Sequence, residues 1–329
     1  MYWRPFEVVR VSATIRAIAL VAYCLSPAAQ SIEQEAISSA ALRSHVEALG
    51  VPDMLGRDTP GPGGDLAATY VAEQFKTAGL EPPRTDEADG GPVDAEMGGG
   101  NESSFLRPFT YDDRNVYNVV GVLRGGDPEE GTVVVGAHYD GVGVHGANFM
   151  PLSDDNASGT AILIVAATAL ADRVAVEGPL PHTVVFVAFG SEEDGLRGAR
   201  HYCEVPPISL EGTRAMFNLD TVGRPRSGRL EIVGWSRYRA LSMLVAHAAE
   251  KEGIEPVAGP RSLWQRSDQA VFSEAGVPAV WLLGHLRDDI HSPRDIPDRL
   301  DYEWMTQVAR ALVAVVQAGF SSSTGGGDS

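Results

Sequence analysis

Thiol ligands are nearly absent from this chain: it has two cysteines, Cys24 and Cys203, among 329 residues. Two cysteines are too few for a cysteine-based zinc site. If Cys24 is removed with the N-terminal segment, no intrachain disulfide remains either. Basic excess is missing as well. Lys and Arg number 26 against 44 Asp and Glu, a formal charge of −18. That balance argues against a nucleic-acid partner, because phosphates are tracked by clustered positive charge. No internal repeat stands out. The N-terminal apolar run, AIALVAYCLS, is too short to span a bilayer comfortably.

That run is instead one part of a targeting pattern. Arg4, Arg10 and Arg16 precede it, and the small residues of SPAAQS follow. A positive region, an apolar region and a cleavage site in this order predict a signal peptide over residues 1–29. The mature chain is then expected in the periplasm or outside the cell. At 44% hydrophobic, the rest has enough apolar material for a large α/β domain. Residues 30–320 are read as a single domain. A stretch rich in Pro, Gly, Asp and Glu at 81–104 is expected to be a mobile surface insertion, and 321–329 a disordered tail.

Within the domain, apolar β-branched runs alternate with helical periodicity. Strands are expected at NVVGVLRG, GTVVVGAHYD, HTVVFVAFG, TRAMFNLD, RLEIVGW and PAVWLLG. Helices are expected at 33–50, at LAATYVAEQFKTAGL, and at ASGTAILIVAATALADR, which is apolar almost all round and so should be buried. Shorter or later helices follow at GLRGARHYC, YRALSMLVAHAAEKEG and YEWMTQVARALVAVVQAG. The alternation predicts an α/β fold, a three-layer sandwich around a mostly parallel central sheet.

Ligands in such sheets bind where the strands end at their carboxyl edge. The polar residues at those ends are therefore the candidates. His138 and Asp140 follow VVVGA; Asp154 and Asp155 open the buried helix; Glu192 and Glu193 follow VVFVAF; Asp220 follows MFNL; His291 sits in a later loop. Each has a plainer reading. A lone strand-end His is usually structural, and Asp and Asn cap helices well. Together, however, two imidazoles and several carboxylates without a thiolate suit zinc, and less well manganese or cobalt. They exceed what one tetrahedral ion needs, which favours two metals.

The ordered motifs GAHYD, SDDNASG, FVAFGSEEDGLRGARHY, NLDTVG and IHSPRDIPDRLD resemble those of the M28 family of zinc-dependent aminopeptidases and related exopeptidases. The resemblance runs from about Arg57 to the last helix. It implies two Zn2+ ions, with His138 and Asp220 on one, Glu193 and His291 on the other, and Asp154 bridging both. It also implies that Asp140 orients His138 and that Glu192 is the general base acting on a metal-bridging hydroxide. The implied activity is exopeptidase hydrolysis, chiefly release of residues from a peptide or protein N-terminus. A carboxypeptidase, a glutaminyl-cyclase-like transferase and a noncatalytic peptidase-like binding module are the alternatives. The pattern departs at Ile290, where many members have Tyr, and at Ser267-Asp268-Gln269, where members often read Ser-Asp-His. Arg197, Arg200, Arg224, Arg226, Arg261 and Arg266 read as surface residues, and none stands out as a clamp for a substrate carboxylate.

Overall fold

The valine-rich runs lie side by side at the centre of the molecule. The computed structural model describes residues 35–84, 104–146 and 148–319. The expected signal peptide, residues 85–103 of the expected insertion and the tail 321–329 lie outside the described residues. Eight strands form one sheet: β1 (Leu106–Tyr111), β2 (Arg114–Leu123), β3 (Thr132–His138), β4 (Thr183–Phe189), β5 (Thr213–Leu219), β6 (Arg229–Val233), β7 (Glu255–Ala258) and β8 (Ala279–Leu283). Their spatial order is β1-β2-β4-β3-β5-β8-β6-β7. The central four, β4, β3, β5 and β8, are mutually parallel. β2 joins β4, and β6 joins β8, in the antiparallel sense.

Both faces of the central strands are covered, which explains their largely apolar sequence. In β4, Val184, Phe186 and Ala188 enter one core, while Val185, Val187 and Phe189 enter the other. The larger core also takes α1 (Ser39–Leu49), α2 (Pro62–Thr77), α3 (Gly159–Glu177), α5 (Arg239–Lys251) and α7 (Tyr302–Ala318). The smaller one takes α4 (Arg197–Glu204) and α6 (Gln269–Glu274). This is the expected helix–sheet–helix sandwich. The edge strands β1 and β7 and the short α6 were not read from sequence. β1 and β7 are mostly half-exposed and lack the valine run of the centre.

α3 is apolar on every side because it lies between the sheet and the neighbouring helices α1, α2 and α7. With the turn before it, this is the one described helix long and apolar enough to cross a membrane, and 72% of its most apolar window is buried inside the molecule. Gly159 begins it. A Cβ there would collide with the Leu219 carbonyl and the Asn156 side chain, so only glycine lets the helix start against the end of β5.

Candidate metal centre

Parallel strands deliver their carboxyl ends to one edge, and the polar candidates gather there. His138 is the last residue of β3 and is in register with Phe189, the last of β4. Glu192 and Glu193 follow β4, Asp220 follows β5, and the loop after β8 carries His291. His138 Nε2 lies 3.3 Å from Asp155 Oδ1 and 3.5 Å from Asp220 Oδ1. His291 Nε2 lies 2.9 Å from Asp155 Oδ2 and 2.9 Å from Glu193 Oε1. Two histidine–carboxylate groups thus share Asp155, one oxygen each.

This corrects the expectation for the aspartate pair. Asp154, read from the resemblance as the bridging ligand, does not face the histidines. Its Oδ1 accepts the Gly223 N–H at 2.7 Å and its Oδ2 accepts Arg224 Nε at 2.8 Å. The second aspartate, Asp155, occupies the position between the imidazoles. The turn separates the two side chains: Asp155 and Asn156 leave helical geometry, at φ −114°, ψ 90° and φ −137°, ψ 46°. Asn156 then supplies the capping function that the sequence suggested for this stretch. Its Oδ1 accepts the Gly159 and Thr221 N–H groups, and its Nδ2 donates to the Leu219 carbonyl.

Asp140 stands behind His138. Its Oδ1 is 3.6 Å from His138 Nδ1. The same carboxylate accepts the backbone N–H of Glu192 at 3.1 Å and of Glu193 at 3.2 Å. It therefore ties the glutamate turn to the end of β3. Ser191, Thr221 and His291, next to or within the candidate set, hold left-handed backbone at φ 53°, 51° and 53°. For residues other than glycine this costs about 1 kcal/mol or more each, and such strain collects at functional sites.

The charge distribution is lopsided. Asp140, Asp155, Glu192, Glu193 and Asp220 surround two imidazoles. Burial raises Glu192 well above the usual carboxylate range; His138 opposes this, while Asp220, Asp268 and Glu193 add to it. Burial and Asp155 raise Glu193 to about 7 against the pull of His291. Burial also works against charge on Asp155, yet hydrogen bonds to His138 and His291 hold it below its ordinary value. His291 is raised to about 10 by Asp155 and Glu193, with burial opposing. Burial opposes charge on His138, yet Glu192 and the carboxylates of Asp140, Asp155 and Asp220 raise it well above its ordinary value.

The donor set fits divalent cations better than protons. A protonated His138 Nε2 has one hydrogen to share between two carboxylates, both beyond 3.2 Å. Oxygen and imidazole ligands suit zinc. Two three-residue groups, His138–Glu192–Asp220 and His138–Asp155–Glu193, have donor atoms within 4.8 Å of one another.

Three contributors were not recognised from the sequence. Arg57 is fully buried and donates to the carbonyls of Leu49, Tyr139, Pro151 and Leu152. Burial lowers it to about 10. It fastens the segments on either side of the site, and its only sequence signal is that the resemblance begins near it. Asp268 is buried with both oxygens lacking a hydrogen-bond partner. Burial raises it to about 8, with His138 opposing and Asp140 and Asp220 reinforcing the rise. It lies in the Ser267-Asp268-Gln269 triplet flagged as a departure. Arg224, read as a surface residue, is buried beside Asp154.

The model of peptidase family M28 matches residues 118–316. An aminopeptidase of Bacillus subtilis, YwaD, is 30% identical over 226 residues, covering 64% of this chain and 46% of that protein. This chain spans about half the length of the curated relatives it matches first. Among solved structures, LapA of Legionella pneumophila superposes with a TM-score of 0.68 at 19% identity, covering 90% of this chain and 77% of that one. The zinc aminopeptidase BSAP from B. subtilis superposes with a TM-score of 0.64 at 19% identity, covering 85% and 94%. At these identities the structural matches establish the fold.

Proposed function

This chain belongs to peptidase family M28, and on that premise we propose that it is a two-zinc aminopeptidase acting on peptide N-termini. One observation carries the reading: Asp155 presents one oxygen to each of two histidines, and each histidine has a further carboxylate, Asp220 or Glu193. His138 and Asp220 would hold one ion, His291 and Glu193 the other, and Asp155 both. Bound zinc would acidify water and polarise the scissile carbonyl.

The protein's own groups do the rest. Glu192 is buried and held by its backbone against Asp140; burial, Asp220, Asp268 and Glu193 oppose its charge, and His138 favours it. Its raised proton affinity suits a general base that takes a proton from water and returns it to the leaving amine. Glu193, the next residue, is turned to His291 and serves as a ligand. Asp140 fixes both glutamates through their N–H groups and faces His138 Nδ1, so it holds the imidazole with Nε2 toward the ligands.

Glu192→Gln should leave zinc content unchanged and lower turnover of free-amine peptides by about 100- to 10,000-fold. The assay compares free-amine, N-blocked and C-terminally free peptides with and without chelator. Cleavage of N-blocked substrates alone would sink the aminopeptidase reading. A single zinc with pyroglutamate formation would instead favour a cyclase.

A further inference from the structure

Behind the candidate metal ligands, one buried guanidinium joins its own loop to two others. Arg224 Nε donates to Asp154 Oδ2 at 2.8 Å, and Nη1 donates to Asp289 Oδ1 at 3.0 Å. Its Nη2 is buried, lies 3.6 Å from Asp295 Oδ1, and has no closer hydrogen-bond partner. Asp295 in turn accepts the backbone N–H of Asp154 at 2.9 Å and of Asp155 at 3.1 Å, one on each oxygen. Asp154 is next to Asp155; Arg224 is on the loop that begins with Asp220; Asp289 and Asp295 flank His291. We infer that Arg224 and Asp295 form a positioning clamp that sets Asp155 against His291 and so builds the second of the two ion sites. The inference rests on the two-zinc reading and adds to it the residues that assemble one half of the centre.

The two halves differ in how they are held. His138 is within β3 and Asp220 directly follows β5, so the sheet itself fixes them. His291 has no strand beneath it. Its side chain is 39% exposed, and its backbone sits at φ 53°. Besides His291 itself, the Asp295 carboxylate and carbonyl tie its loop directly to the Asp155 turn, and Asp289 does so through Arg224. Asp289 also pairs with Arg299, which anchors the loop from the outside. A guanidinium suits the junction because its planar fork reaches several carboxylates at once, which a lysine ammonium does not. Arg224 also lines a cavity of about 610 Å³, together with Asp289, Arg287 and Arg299. Solvent therefore reaches the outer side of the clamp.

The test is calorimetric titration of the metal-free full chain with zinc. Wild type should take up two equivalents. Arg224→Met and Asp295→Asn should keep one tight site and weaken the other by about 10- to 100-fold, the usual size of losing a group that orients a ligand. Arg224→Lys should remain deficient, while Arg224→Ala should regain the second site in millimolar guanidinium, which enters through the cavity. A general structural role would weaken both sites together and would not respond to guanidinium. Two tight sites in folded Arg224→Met or Asp295→Asn protein overturn the clamp. If Arg224→Met does not fold, Asp295→Asn decides. A wild type with a single equivalent overturns the two-zinc reading, and the clamp is then judged by whether that one site weakens in the same variants.

Discussion

Adjacent residues of one type face different partners in this centre, and in the proposed mechanism Glu192 and Glu193 would divide into base and ligand, and Asp154 and Asp155 into strut and bridge. The aspartates give the sharper contrast because they differ only in what faces them. Asp155→Asn should weaken both zinc equivalents, since each of its oxygens faces a different histidine. Asp154→Asn should leave the His138–Asp220 half tight and weaken only the other, because its carboxylate is engaged by Gly223 and Arg224. Zinc stoichiometry after dialysis separates the outcomes. Equal loss in both variants would show that the turn, rather than the side chains, sets the site. Away from the metals, His45 is 2.8 Å from the Tyr70 hydroxyl, and burial lowers its pKa from 6.5 to about 4. A histidine buried neutral binds its proton more weakly folded than unfolded. Its contribution is therefore complete above about 6.5 and is lost as pH falls toward 4, by roughly 3 kcal/mol. Replacing His45 with Gln should flatten that part of the stability–pH curve of the metal-free chain, measured by urea unfolding.

At the scale of elements, the site depends on how closely α3 starts against β5. Gly159→Ala should lower stability by about 1–3 kcal/mol, the ordinary cost of overpacking. It should also reduce zinc affinity, because Asn156, which Gly159 abuts, connects the Asp155 turn to the end of β5. A denaturation midpoint equal to wild type would show that the helix can slide without cost. The same contact shows why some of this molecule was legible in its sequence and some was not. Strands buried on both faces are largely apolar, so β3, β4, β8 and the Ala215–Phe217 run of β5 are legible in the sequence, and their ends locate the candidate ligands. β1 and β7, half-exposed at the margins, carry no comparable signal. The aspartate pair was misassigned for a different reason. Which carboxylate faces inward depends on a non-helical turn and on Arg224, a partner distant in sequence. Adjacent identical residues carry no periodicity from which either could be read.

For the molecule as a whole, the metal-free state crowds carboxyl groups into its interior, where burial raises the proton affinity of Glu192, Glu193 and Asp268. The chain already carries a formal charge of −18. At the carboxyl edge of the sheet, six carboxyl groups, those of Asp140, Asp155, Glu192, Glu193, Asp220 and Asp268, lie around two imidazoles. Salt screens buried charges poorly, so ionic strength should not substitute for a bound cation. Zinc that binds only the folded form stabilises it by mass action, about 4 kcal/mol at a thousandfold excess over the dissociation constant. For a chain of this size, roughly 2 °C accompany each kcal/mol, so saturation of two such sites should raise the melting temperature by about 16 °C. Chelator should reverse the rise, and sodium chloride should not reproduce it. The glutamate pair supplies the control. Glu192→Gln should retain the full thermal response while losing turnover. Glu193→Gln should lose about half of it, because it removes a ligand from one ion only. Scanning calorimetry with and without zinc measures each shift. A full response in Glu193→Gln would mean that the glutamate facing His291 does not hold the second ion.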